Sequence, residues 1–377
     1  MKKKICLLLL SFCLASISAC GNNNQVEETN NVTNPEDTNV PDESTNEENT
    51  EKIEPEISNS GDGLIVVPGT YEVGDNVANT DYLITCEETN YSMQVIVFES
   101  KDNYNDYQNA ERVTNGEELA AIEQNALYDY YLKAGEVGYL SLESGYILLI
   151  DDGNGRLKEF DAQNNVDAEL YSGAYFVGND LKAAQYLLAC NEADYSMQVI
   201  VFENIDAYKS YHQTSRFTNG EELAAIEQNA LYDYYLKSEE QGYLGLENGY
   251  VLLINDGIGK LNEINMQDTD NSTAWYRSNN IGLCRGVYFV GNDLKAAQYS
   301  LTCIDSYMEV VVFENIDAYK AYHQSSRFTG GEESDAIEQN AISYEYMYAD
   351  KTLAINLQEG NVLMISNGTG DLEMLSQ

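Results

Sequence analysis

The sequence predicts an α+β, mainly β fold: three tandem small antiparallel β-sandwich domains, each with one or two short helices. Three observations lead there. The segment Tyr175–Tyr186 returns at Tyr288–Tyr299 and, more loosely, at Tyr71–Tyr82, while the twenty residues Thr114–Lys133 are identical to Thr218–Lys237, with Glu332–Tyr346 a diverged third copy. Each copy holds a short run that is apolar on both faces: Met93–Phe98, Met197–Phe202 and Met308–Phe313. Between these runs lie stretches with helix-capping residues. The repeats set domain boundaries at 63–161, 168–267 and 281–377, with a polar linker at 268–280 that carries Trp275.

Within a repeat the elements follow in a fixed order. A strand ends at Gly74, Gly178 or Gly291, where a Gly-Asn or Gly-Asp pair makes a turn into a second strand at Tyr82, Tyr186 or Tyr299. The two-faced apolar run comes next and reads as a strand covered on both sides. Asn204 can cap a helix over Ala207–His212, and Thr218 with Glu221 resembles a capping box that opens a second helix striped by Leu223, Ile226 and Ala230. The unit then closes with an expected hairpin: Gly242–Leu246, a turn through Asn248-Gly249 of the type I′ kind, and Tyr250–Ile254.

Ahead of the repeats, Lys2, Lys3 and Lys4 precede an apolar stretch from Ile5 to Ile17, the layout of an export signal too short to span a bilayer. Ile17-Ser18-Ala19-Cys20 resembles the lipobox of bacterial lipoproteins, which implies a signal peptide at 1–19 and lipidation of Cys20. Residues 20–62 form an expected acidic, disordered tether. Positions 21 to 62 hold twelve carboxylates and one lysine, with Pro35, Pro41 and Pro55 and no aromatic residue. Such a coil reaches about 35 to 40 Å by random-coil scaling.

The residues Gly173, Tyr175, Val177, Gly178, Asp180, Leu181, Ala183 and Tyr186, and again Gly286, Tyr288, Val290, Gly291, Asp293, Leu294, Ala296 and Tyr299, resemble a G-x-Y-x-V-G-x-D-(I/L)-x-A-x-x-Y repeat. That repeat occurs in secreted proteins and lipoproteins of low-GC Gram-positive bacteria, an uncharacterised family. Here Lys182, Lys295, Gln185 and Gln298 stand where the family has a proline and a second glycine, and the first copy has Asn76 for the aspartate. The resemblance implies a cell-envelope domain without a defined activity.

A formal charge of -43 argues against nucleic acid and anionic headgroups as partners. The aspartates and glycines at Asp151–Gly155 read as a turn rather than a calcium loop. Cys86, Cys190 and Cys303 recur once per repeat as small core residues. A Cys284–Cys303 bridge fits the predicted strand order in an oxidising compartment, and two thiols are the alternative. His212 and His323, one per domain, read as solvent-exposed helical residues and make no metal site or triad. No hydrolase elbow, phosphate loop or dinucleotide fingerprint is present, so no cofactor is implied.

Two sets of residues are candidates for ligand binding. Arg112, Arg216 and Arg327 recur upstream of the Glu-Gln-Asn helix; either they join it in a polar ligand cluster or they pair locally while the Asn ends the helix. Tyr130 and Tyr234 belong to tyrosine trios, Tyr128, Tyr130, Tyr131 and Tyr232, Tyr234, Tyr235, in which one ring faces away from the other two. They either stack on a glycan or surface protein or pack within the sheet. The reading that follows is a membrane-anchored cell-surface lipoprotein on the extracytoplasmic face, with non-catalytic binding or adhesion repeats that act by multivalency. The alternative is an extracytoplasmic enzyme acting on envelope polysaccharide, which needs a carboxylate pair that counting acids cannot identify.

Overall fold

The strand Met197–Phe202 is buried at every position because it is covered from both sides. In the computed structural model, which describes residues 58–60, 63–88, 92–110, 115–161, 169–192, 196–214, 219–264, 276–277, 280–325 and 332–375, it lies inside a four-stranded antiparallel sheet. The strand order there is Gly173–Phe176, Val251–Asn255, Met197–Phe202, Tyr232–Leu236. One face packs on a second sheet, ordered Glu169–Leu170, Ile258–Ile264, Gln185–Glu192, Gln241–Gly245, through Tyr175, Leu188, Val199, Val201, Leu244 and Leu252. The other face presents Ile200, Phe202 and Leu253 to the helices Ile205–His212 and Asn219–Asn229, whose Tyr208, Tyr211, Ala225 and Ile226 complete the layer. The first and third repeats share this plan. Each is therefore a small antiparallel sandwich with two short helices, as the sequence predicts.

Local chemistry explains the recurring motif. Asn204 caps the first helix by accepting from the Ala207 N–H at 2.9 Å, and Asn315 does the same for Ala318. The Tyr175 hydroxyl donates to the carbonyl of Tyr171 and accepts from its N–H, which pins the chain entering the sheet; Tyr288 treats Cys284 likewise. Asp180 accepts from the Phe176 N–H at 2.7 Å and closes the turn at Gly178, where φ is +104°. Asn76 makes the same bond to Glu72 at 2.9 Å, so the first copy keeps the turn with an amide. The motif is a folding signature.

Three expectations need correction, and the alternative left open for the cysteines is decided. The closing hairpin does not form. Gln241–Gly245 and Val251–Asn255 lie in opposite sheets, and the turn has positive φ at Gly249 but not at Asn248. Apolar alternation cannot distinguish a hairpin from a step between sheets. The cysteines are thiols: Cys284 and Cys303 are both free and buried, and burial pushes the Cys284 thiol up to about 12. The histidines are not exposed. His212 and His323 retain 3% and 2% of their surface because each helix is covered by the preceding repeat. Finally, the sheets extend beyond the expected boundaries: Ser58–Ser60 pairs with Gly63–Val66, and Tyr276–Arg277 pairs with Asn280–Leu283.

Candidate functional site: the repeat junctions and the terminal face

The core does not stop at repeat boundaries. Sandwich residues of the first repeat form one cluster with the helix layer of the second, and those of the second join the helix layer of the third. Each junction is built from the same parts. The Tyr139 ring stacks on Tyr175 at 4.1 Å and 10°, and Tyr243 on Tyr288 at 4.2 Å and 16°. The Tyr139 N–H donates to Ser172, and the Tyr243 N–H to Arg285, so the edge strand of one repeat meets the entry of the next. That approach requires glycine: a Cβ on Gly173 would sit 2.7 Å from the Tyr139 carbonyl oxygen, and one on Gly286 2.9 Å from that of Tyr243. On the helix side, His212 Nε2 lies 3.0 Å from Asp129 Oδ1 and His323 Nε2 3.0 Å from Asp233 Oδ1. Lys209 and Lys320 reach Glu99 and Glu203 at 2.7 Å.

The first and third repeats differ at these positions. The first repeat has Asn105 and Gln108 at the places of Lys209 and His212. By strand register, the third has Tyr344 where Asp129 and Asp233 stand, Glu345 for Tyr130 and Tyr234, and Ala354 for Tyr139 and Tyr243. The edge strand Ala341–Tyr348 of the third repeat carries an aromatic row. Tyr307, Tyr344, Tyr346 and Tyr348 are 37% to 62% exposed; Tyr307 and Tyr346 stack at 5.4 Å, and Tyr344 donates to Glu309.

The sequence-predicted tyrosines fall elsewhere. Tyr234 is buried, its hydroxyl donating to the Tyr243 carbonyl at 2.9 Å, and Tyr130 makes the same bond to Tyr139. The outward rings are Tyr131 and Tyr235, one residue on. Strand alternation puts one ring of each trio outside but does not say which face the neighbour covers. Arg112, Arg216, Arg327, Cys20, Trp275 and the 1–19 leader lie outside the described residues.

A carboxylate pair that sequence reasoning missed sits in the first junction. Ser141 Oγ lies 3.1 Å from Asp81 Oδ1 and 3.0 Å from Asp180 Oδ1. Burial, partly offset by the Phe176 N–H and the Ser141 hydroxyl and reinforced by the charge of Asp81, pushes the Asp180 carboxyl up to about 7. At the second junction Asp293 faces Gln185 Nε2 at 3.2 Å instead, and burial raises it as well. Asp180 is 2% exposed, while Asp81 is partly buried. A cleft of about 810 Å³ lies between the first and second repeats, bordered by Tyr131, Glu136, Ser172, Ser196 and Asp256. Among the described residues no group of His, Cys, Asp and Glu is arranged to hold a metal ion, and no helix is long and apolar enough to cross a membrane.

No family model and no curated protein matches the sequence. Two solved structures align over 83% of the chain. One is described as the atomic structure of Sulfolobus turreted icosahedral virus, at 10% identity over 86% of that chain with a TM-score of 0.18. The other is described by the triple jelly roll fold and turret assembly in an archaeal virus, at 11% identity over 85% of that chain with the same score. At that score the likeness carries no argument.

Proposed function

We propose that this protein is a membrane-anchored cell-surface lipoprotein with three non-catalytic binding or adhesion repeats. The observation that carries the reading is the aromatic row Tyr307, Tyr344, Tyr346 and Tyr348 on the third repeat. A repeat array ordinarily ends in a polar face. Here the edge strand exposes Tyr344, Tyr346 and Tyr348, with Tyr307 stacked on Tyr346, which offers flat apolar area with polar tips to a glycan or a surface protein. Lipidation of Cys20 would anchor the protein to the membrane. The carboxylate pair Asp81 and Asp180 supports a structural rather than a catalytic role, since it is bound to Ser141 and Phe176 inside the junction.

The test is an array of glycans, envelope polymers and surface proteins probed with the full chain carrying Cys20→Ser, beside a variant that adds Tyr344→Ser, Tyr346→Ser and Tyr348→Ser. Binding that drops at least about tenfold in the variant, with an unchanged melting temperature, is the expected result. Equal binding by both chains, or none by either, rejects the terminal face as the binding surface.

A further inference from the structure

Besides the contact of Asp81 and Asp180 through Ser141, which Asp293 and Gln185 replace at the second, the two junctions differ at one further place. At the second, Arg285 projects from the residue that pairs with Gly242; its guanidinium donates to the carbonyl of Tyr235 and, at 3.0 Å, to Asn367 Oδ1, and lies 3.9 Å from Glu240 Oε2. The Tyr307 hydroxyl accepts from Asn367 beside it. At the first junction the residue paired with Gly138 is Ser172, and the place of Tyr307 is taken by Ser196. Two large side chains are thus replaced by two small ones, and the cleft of about 810 Å³ occupies that region. Its border keeps the acceptors: the Tyr131 backbone stands for Tyr235, Glu136 for Glu240, and Asp256 for Asn367, the last exchanging an amide for a carboxylate. The remaining charged groups around the cleft are Lys133, 3.4 Å from Glu136, the bonded pair His212 and Asp129, and Glu222.

We infer that the first junction is a binding site for a guanidinium-bearing ligand, which takes the position that Arg285 fills at the second. The molecule supplies its own template. A planar guanidinium donates in a fixed fork to a carbonyl and to carboxylates, and Glu136 and Asp256 add more negative charge than Glu240 and Asn367 provide around Arg285. Tyr131, 53% exposed at the rim, offers a ring face for the cation. The group can be an arginine side chain of a peptide or a free small guanidine; the chemistry recognised is the same. The site is separate from the tyrosine row of the third repeat, so its failure leaves the proposed adhesion face untouched.

The experiment titrates the full chain carrying Cys20→Ser with two probes by calorimetry, the blocked tripeptide acetyl-Gly-Arg-Gly-amide and agmatine, with acetyl-Gly-Ala-Gly-amide as control. One site per chain is expected for a guanidinium probe and none for the alanine peptide; tighter binding of the tripeptide identifies a peptide ligand, and tighter binding of agmatine a free guanidine. Ser172→Arg, which installs the internal plug, is expected to abolish binding. Asp256→Asn and Glu136→Gln, which leave the fold space unchanged, should each weaken it roughly ten- to a hundredfold. Binding unaffected by Ser172→Arg and by both acidic variants overturns the inference, as does the absence of binding by either guanidinium probe at millimolar concentration.

Discussion

At the scale of single residues, the histidines show most directly how context decides a role. His323 packs its ring 6.0 Å from that of Tyr319 and places Nε2 on Asp233, with almost no contact with solvent. The sequence places it on a helix but not beside the previous repeat, because Asp233 lies ninety residues away along the chain. Replacing the imidazole removes a buried hydrogen bond to a carboxylate, an interaction of about 1.5 to 3 kcal/mol. His323→Ala should therefore lower the unfolding free energy in urea by about that amount. His323→Gln, which copies the Gln108 of the first repeat, should lose less if its amide reaches Asp233. A loss in His323→Ala within the error of a surface substitution would show that the bond contributes nothing.

At the scale of elements, the turn that carries Asp180 joins local and tertiary demands. The turn was legible in the Gly-Asn pair after Phe176, whereas the bond from the Phe176 N–H to Asp180 appears only in the structure, and Asn76 shows that an amide satisfies the turn equally well. Its contact with Ser141, and through Ser141 with Asp81, belongs to the junction and changes the carboxyl's chemistry. The folded carboxyl titrates near 7 and the unfolded one near 3.8, so between those values the native state holds a proton that the unfolded chain has released. The stability this contributes is fully present below about pH 4 and is lost as pH rises through about 7. The melting temperature of the full chain should then climb from pH 8 to pH 5. Asp180→Asn, with no proton to exchange at that site, should climb less. Parallel curves for the two proteins would remove Asp180 as the source; general repulsion among the many carboxylates is common to both and cancels in the comparison.

At the scale of the whole molecule, continuous packing makes the three repeats thermodynamically one body in the manner of a short solenoid, in which nearest-neighbour interfaces set cooperativity. The stacked pair Tyr243 and Tyr288 is the largest aromatic contact across the second junction, and its loss in Tyr243→Ala should remove about 3 to 5 kcal/mol of coupling. Calorimetry of the full chain should show one transition, which the variant splits in two as the third repeat unfolds apart from the others. Two transitions in the parent chain would mean that the junctions are too weak to couple the repeats. The same packing sets the third repeat apart, since Ala354 and Tyr344 stand where the other two have the stacking tyrosine and the acidic residue.

The sequence by itself determined the number of repeats, the mainly β class, the helix cap at Asn204, and the doubly covered strand Met197–Phe202, because period, capping and hydropathy act within a few residues. Only the tertiary structure decided which tyrosines are outside, that Gln241–Gly245 and Val251–Asn255 belong to opposite sheets, that the histidines bridge repeats, and that Ser172 leaves open what Arg285 closes. Each of those features depends on residues far apart in sequence meeting across a junction, and no local pattern encodes which surface a neighbouring repeat will bury.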